Sequence, residues 1–174
     1  MRRIFFTILA ASILVAADNP SGAPACGTAG AKFDVHLGQF PSILPRPQAD
    51  SALVFVIEVQ AVPVCLVGCI ETARIGLDGK WVGANRFDSW LVFQLNPGEH
   101  HLCAALDGKK TDLADPNRVS LASLTAEAGG TYYFIARVTH TTYLGPWIDL
   151  EALNRDEGAF LVSRYYPSSS TAHK

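Results

Sequence analysis

The chain has 174 residues, 49% of them hydrophobic, and its 14 Lys and Arg against 16 Asp and Glu leave a formal charge of −2. Lys109–Lys110 is its only lysine pair, so the clustered cations that drive binding to a phosphate backbone are missing, and no nucleic-acid partner is expected. The length suits one domain able to bury its own core, together with shorter appended segments.

In chain order, Arg2 and Arg3 precede the uncharged run Ile4–Ala17. That run has the length of a signal-peptide core and falls short of the roughly twenty residues of a membrane span. Residues 1–17 are therefore predicted to be a signal peptide cleaved after Ala17, with Val15 and Ala17 as the small residues before the cut. An uncleaved anchor is the alternative; lipidation at Cys26 fits poorly, because Ala23 and Pro24 stand where a lipobox wants a leucine-like residue. No second hydrophobic segment reaches spanning length, so no stable membrane span is expected after cleavage. The product is expected outside the cytoplasm, in the periplasm, on the surface or in the medium.

Residues 18–50 are rich in Pro, Gly and Ala and close with "FPSILPRPQAD". Three prolines there forbid helix, which predicts an extended linker or, alternatively, a segment wrapping the domain edge. From residue 51 the texture changes. "ALVFVIEVQ" is a β-branched and aromatic run suited to a buried strand. "ARIGLDGKWVGA" follows, and its Asp78-Gly79 pair predicts a two-residue hairpin turn. "SWLVFQL", "HHLCAAL", "VSLASLTAEAGG", "TYYFIARVTHT" and "PWIDLEAL" read as further strands, separated by turn signals. "NRDEGAFLVSRY" predicts a short C-terminal helix capped by Asn154 or Asp156. The polar tail, residues 168–174, is expected to be disordered. Short strands without long intervening helices predict an all-β, immunoglobulin-like antiparallel β-sandwich over residues 51–167.

Four stretches, "ARIGLDGKWVGA", "QLNPGEHHL", "LASLTAEAGGTYYFIAR" and "LNRDEGAFLVSRYYP", resemble a bacterial family catalogued as domain of unknown function 2846. The resemblance spans roughly Ala52 to Pro167. It implies a PEGA-like β-sandwich in an exported or lipid-anchored, non-catalytic protein. The matching positions are Asp78, Gly79, Lys80, Gly83, Pro97, Gly98, His100, Gly129, Gly130, Tyr132 and Tyr133, mostly residues that a β-fold needs at turns and in its core. The insertion "VPVCLVGCIE" departs from that pattern.

"PGEHHLCAAL" is the stretch closest to a metal motif. Strand alternation sends His100 and His101 to opposite faces, whereas His101 and Cys103 share one. A zinc site would need Cys65 and Cys69 to complete the set, and exported cysteines more often pair with each other. The preferred reading is a turn and a core strand, with Leu102, Ala104 and Leu106 on one face and His101, Cys103 and Ala105 on the other. Among Cys26, Cys65, Cys69 and Cys103, Cys65–Cys69 is the first bridge expected, with Cys26–Cys103 then pinning the linker to the domain. A bridge from Cys103 to Cys65 or Cys69 is the rival. No G-x-S-x-G, H-E-x-x-H or phosphate-loop motif occurs, and a meeting of Ser120, Ser123 or Ser163 with His140 is not readable from spacing. No enzyme activity and no cofactor are expected. Trp81, Tyr143 and Trp147 are the candidate binding residues, for an envelope protein or a glycan. The alternatives are a small metal-dependent enzyme around His101 and Cys103, or a purely structural accessory domain.

Overall fold

The computed structural model describes residues 25–41, 43–61, 71–107, 115, 118–141 and 145–173. The expected signal peptide, Cys65, Cys69 and Tyr143 lie outside these residues. The described elements are strands β1 (Phe33–Leu37), β2 (Ala52–Ala61), β3 (Thr72–Leu77), β4 (Lys80–Arg86), β5 (Ser89–Leu95), β6 (Gly98–Leu106), β7 (Val119–Ala126), β8 (Thr131–Thr141) and β9 (Gly145–Leu153). Helix α1 (Arg155–Arg164) and strand β10 (Tyr166–Ala172) complete the series. Each apolar run read from residue 51 onward is a strand, and Asn154 caps the helix by accepting from the Glu157 N–H at 2.9 Å.

Two sheets pack face to face as an all-β sandwich. A six-stranded sheet has the order β1-β10-β5-β2-β8-β9 and a four-stranded sheet the order β4-β3-β6-β7. Alternation aims Val54 and Val56 of β2, Phe134, Ala136 and Val138 of β8, and Leu102, Ala104 and Leu106 of β6 into one shared core. The other face of the six-stranded sheet is not left to solvent. Leu53, Phe55 and Ile57 point outward there, and α1 covers them with Leu161 and Val162, joined by the C-cap residue Tyr165. Double coverage explains why β2 reads as a continuous apolar run rather than an alternating one.

Pairing is mostly antiparallel, with two departures from the expected pattern. β2 pairs parallel with β8 through Leu53↔Thr131 to Ala61↔Thr139, and β10 meets β5 in parallel at Tyr166↔Ser89. Parallel neighbours require the chain to leave the sheet and come back: the second sheet supplies the crossover from β5 to β8, and α1 precedes β10. A run of apolar residues does not encode that direction.

The segment expected to be a linker and the tail expected to be disordered both carry strands instead. β1 pairs antiparallel with β10 from Phe33↔Ala172 to Leu37↔Ser168. The serines that make the tail look soluble are the reason it is ordered. Ser168 Oγ donates toward Asn85 Oδ1 at 3.0 Å and the Trp90 carbonyl at 3.1 Å, while Ser170 Oγ accepts from the Ala84 N–H at 2.9 Å. A hydroxyl thereby satisfies a donor on edge strand β4. Ser120 Oγ does the same on the opposite seam, accepting from the Leu150 N–H of β9 at 2.9 Å.

Candidate functional site

Two turns meet at one end of the sandwich, and the meeting explains "PGEHH". Asp78 and Gly79 both adopt positive φ (49° and 81°), as a two-residue turn of this type requires. The Asp78 carboxylate then accepts from the His101 backbone N–H at 2.8 Å and pairs with His100 Nδ1 at 2.7 Å. The other ring nitrogen, Nε2, lies 2.8 Å from the Asn96 carbonyl. Both partners are acceptors, so both ring nitrogens must donate, and the ring that fits is the imidazolium. Partial burial pulls the His100 pKa down, but the Asp78 hydrogen bond, the Asn96 carbonyl and the Asp78 charge outweigh it and raise the value above 6.5. Burial likewise pushes Asp78 up, and the His101 N–H with the His100 ring more than reverses that, holding it below 3.8. His100 is thus a clamp between the β3–β4 and β5–β6 turns, with its ring committed to internal partners.

The far face of β6 is covered by the chain before β1. A disulfide joins Cys26 to Cys103, 77 residues apart, and Ala25, Cys26, Cys103 and Ala105 form a small buried cluster with Trp81 and Val119 against it. The close approach depends on two missing side chains. A Cβ on Gly76 would lie 2.8 Å from the Ala25 carbonyl oxygen, and one on Gly27 would lie 2.3 Å from the Trp81 ring. Trp81 Nε1 donates to the Thr28 carbonyl at 2.9 Å, and the buried Arg74 guanidinium lies 4.8 Å from its ring centre. Arg74 also donates to the carbonyls of Ala31 and Leu106, at 3.0 and 2.8 Å.

These contacts redefine several candidates. Trp81 is a fastener for the segment around Cys26–Ala31, its indole N–H and ring contacts spent internally. Cys103 is oxidised, so it offers no thiolate and the zinc set of His101, Cys103, Cys65 and Cys69 loses a member; the rival bridges from Cys103 to Cys65 or Cys69 are likewise excluded. Among the described residues no group of three or more His, Cys, Asp or Glu side chains is arranged to hold a metal ion. His101 lies instead on the rim of a groove of about 260 Å³, lined with Ala25, Leu102, Leu121, Ala122 and Ser123. Trp147 is half-buried on β9, opposite Thr139. Ser120 accepts from the Leu150 N–H and Ser163 donates to the Phe160 carbonyl, while the buried His140 Nε2 has no hydrogen-bond partner among the described residues, so neither serine is paired with that nitrogen.

One charged group was not singled out from the sequence. Glu58 continues the inward series Ala52, Val54, Val56 and is fully buried between the sheets, with no hydrogen-bond partner for either carboxylate oxygen. Desolvation, reinforced by the neighbouring Asp88 charge and by Glu71, pushes its pKa from 4.5 to about 8; the nearby Phe87 backbone, too poorly placed for a hydrogen bond, and the Arg86 charge oppose this without cancelling it. Next to it the β4–β5 turn holds Phe87 and Asp88 at positive φ (49° and 48°), a conformation a phenylalanine rarely adopts. The signal available in "ALVFVIEVQ" was the parity of Glu58 with the core-facing valines.

The remaining surface feature is apolar. After Gly38, whose N–H donates to the Pro167 carbonyl at 2.7 Å, the chain runs extended and presents Phe40, Ile43 and Leu44 to solvent. Ile43 is 76% exposed, and Phe40 packs against Tyr166, itself 48% exposed, with ring centroids 4.5 Å apart and planes tilted by 40°. Among the described residues, no helix is long and apolar enough to cross a membrane. No protein-family model, curated protein or solved structure matches the chain.

Proposed function

We propose that this chain is a non-enzymatic, exported β-sandwich module that binds a protein partner in the cell envelope, in the manner expected of a PEGA-like domain. The observation that carries the reading is the exposed strip of Phe40, Ile43 and Leu44 beside Tyr166. Contiguous apolar side chains left in water mark a contact surface more often than an accident of folding. Pro41, Pro45 and Pro47 restrict the backbone that presents them, which lowers the ordering cost of binding. A protein partner fits better than a glycan, because the ring of Trp81 is taken up by Arg74 and the Gly27 segment and because aliphatic side chains dominate the strip.

Export is supported by the Arg2-Arg3 pair followed by the uncharged run Ile4–Ala17, a composition that suits a signal peptide, and by the Cys26–Cys103 disulfide, a bond that persists in oxidising compartments. The non-enzymatic part is supported by the way the reactive groups are spent: His100 in a turn clamp, Cys103 in a bridge, and Ser120 and Ser163 on backbone groups. The test is capture from envelope extracts with wild-type protein and with Ile43→Asp, followed by binding of the purified partner. The reading predicts a specific partner whose affinity falls at least about tenfold in Ile43→Asp while the melting temperature is unchanged. A partner that binds both proteins equally, or no partner at all, would remove it.

A further inference from the structure

Four strands end the two sheets: β1 and β9 in one, β4 and β7 in the other. Two of the other edges carry a side-chain contact within the molecule: Ser170 of β10 accepts from the Ala84 N–H of β4, and Ser120 of β7 accepts from the Leu150 N–H of β9. Among the described residues nothing pairs with the outer edge of β1. Its free backbone groups can be assigned. His173 N–H donates to the Lys32 carbonyl and Gly38 N–H to the Pro167 carbonyl, so residues of even number in β1 turn their N–H and C=O toward β10. Phe33, Val35 and Leu37 therefore aim theirs outward, and an open ladder of this kind is a template for another strand.

The side chains specify which strand. "FDVHL" is complementary to itself when reversed about Val35. With Val35 opposite the second copy's Val35, Asp34 faces the second copy's His36 and His36 faces its Asp34. Phe33 and Leu37 face one another on the other side of the ladder. Asp34 and His36 are exposed on one face of the strand, so an acceptor and a donor meet twice at no cost in buried charge. Asp34 already accepts from His173 Nε2 at 3.0 Å through Oδ1, which leaves Oδ2 for the incoming ring. The same register joins the outward groups of Phe33, Val35 and Leu37 in about six backbone hydrogen bonds across the dyad.

We infer that the chain self-associates as a two-fold symmetric dimer through antiparallel β1–β1 pairing centred on Val35, which makes one continuous sheet of the two six-stranded sheets. Such an interface is isologous and closes on itself, so it ends at two copies. The test is sedimentation equilibrium of the full processed chain, disulfide intact, across a wide concentration range. Wild type is expected to dimerise. His36→Asp sets two carboxylates opposite each other at both symmetric positions and should weaken the dimer by about tenfold or more. The exchange Asp34→His with His36→Asp restores opposite partners and should restore the dimer. Val35→Pro removes an N–H that faces outward, a place where an edge strand accepts proline, so it should abolish association while leaving the melting curve in place. A protein that stays monomeric at every concentration overturns the inference. So does a dimer indifferent to Val35→Pro, or one that the charge exchange fails to rescue.

Discussion

His100 and Glu58 are both charged-type residues next to apolar strands, and packing gives them opposite consequences. The imidazolium of His100 is fully partnered, so its raised pKa is a stabilising contribution. That contribution is complete below about 6.5, where the unfolded ring is also protonated, and is lost as pH rises through the higher folded value. The lowered pKa of Asp78 acts in the other sense: its contribution is present above 3.8 and is lost as pH falls through the folded value. His100→Ala should therefore cost about 1–2 kcal/mol at pH 6 and less at pH 9, read as the difference in urea unfolding from wild type. Equal costs at the two pH values would rule out the ionised clamp. Glu58 runs against the common carboxylate pattern. Its folded pKa is raised, so between 4.5 and about 8 the unfolded chain has released a proton that the folded one retains. Stability should decline with rising pH in that window by up to about 1.4 kcal/mol per unit. In Glu58→Gln the decline should flatten; an unchanged profile would mean that the carboxylate is not held protonated. Strand alternation made the burial of Glu58 legible in principle, but not its lack of partners, which depends on which groups come to face it from other strands.

At the scale of elements, turn chemistry was the most legible feature. Asp78-Gly79, Pro97-Gly98 and Gly129-Gly130 each mark a strand end, and Asn154 caps α1. The β4–β5 turn escaped notice because Phe87 and Asp88 do not advertise positive φ. What α1 does was not legible either. Gly158 faces Tyr133, and a Cβ there would lie 2.2 Å from the ring, so the helix docks on β8 through a position that looks like a mere helix weakener. Gly158→Ala should accordingly destabilise the protein by about 1–3 kcal/mol, although alanine favours a helix by roughly 1 kcal/mol. A stabilised variant in equilibrium unfolding would show that α1 does not dock this closely.

At the scale of the whole molecule, the Cys26–Cys103 bridge ties a segment before the first strand to the middle of the four-stranded sheet. Closing so long a loop makes the bond worth about 2–5 kcal/mol. Cys103→Ser should show that loss in denaturant unfolding, with a red-shifted indole fluorescence as Trp81 loses the cover of the Gly27 segment. Unaltered fluorescence would mean that packing alone holds the segment in place. The molecule's outline also differs from the expected one at both ends: the segment before residue 51 and the tail supply the paired strands β1 and β10 where a linker and a disordered end were expected. Their polar and proline-rich composition describes how each would behave alone in water. It carries no record of the Ala84 N–H, the Trp90 carbonyl or the Asn85 side chain that wait for the serines of β10.

By itself the sequence determined what depends on near neighbours: the strands, their facing residues, the Asp-Gly turn, the capped helix and the all-β class. Period-two burial and positive-φ turns are local properties, so the residues that need them are adjacent in the chain. Only the tertiary structure decided the parallel pairing of β2 with β8, the ordered ends, the internal roles of Trp81 and Cys103, and the isolation of the Glu58 carboxylate. Each of these is set by groups brought together from distant parts of the chain, and the free energy that selects them exists only once both sheets have packed.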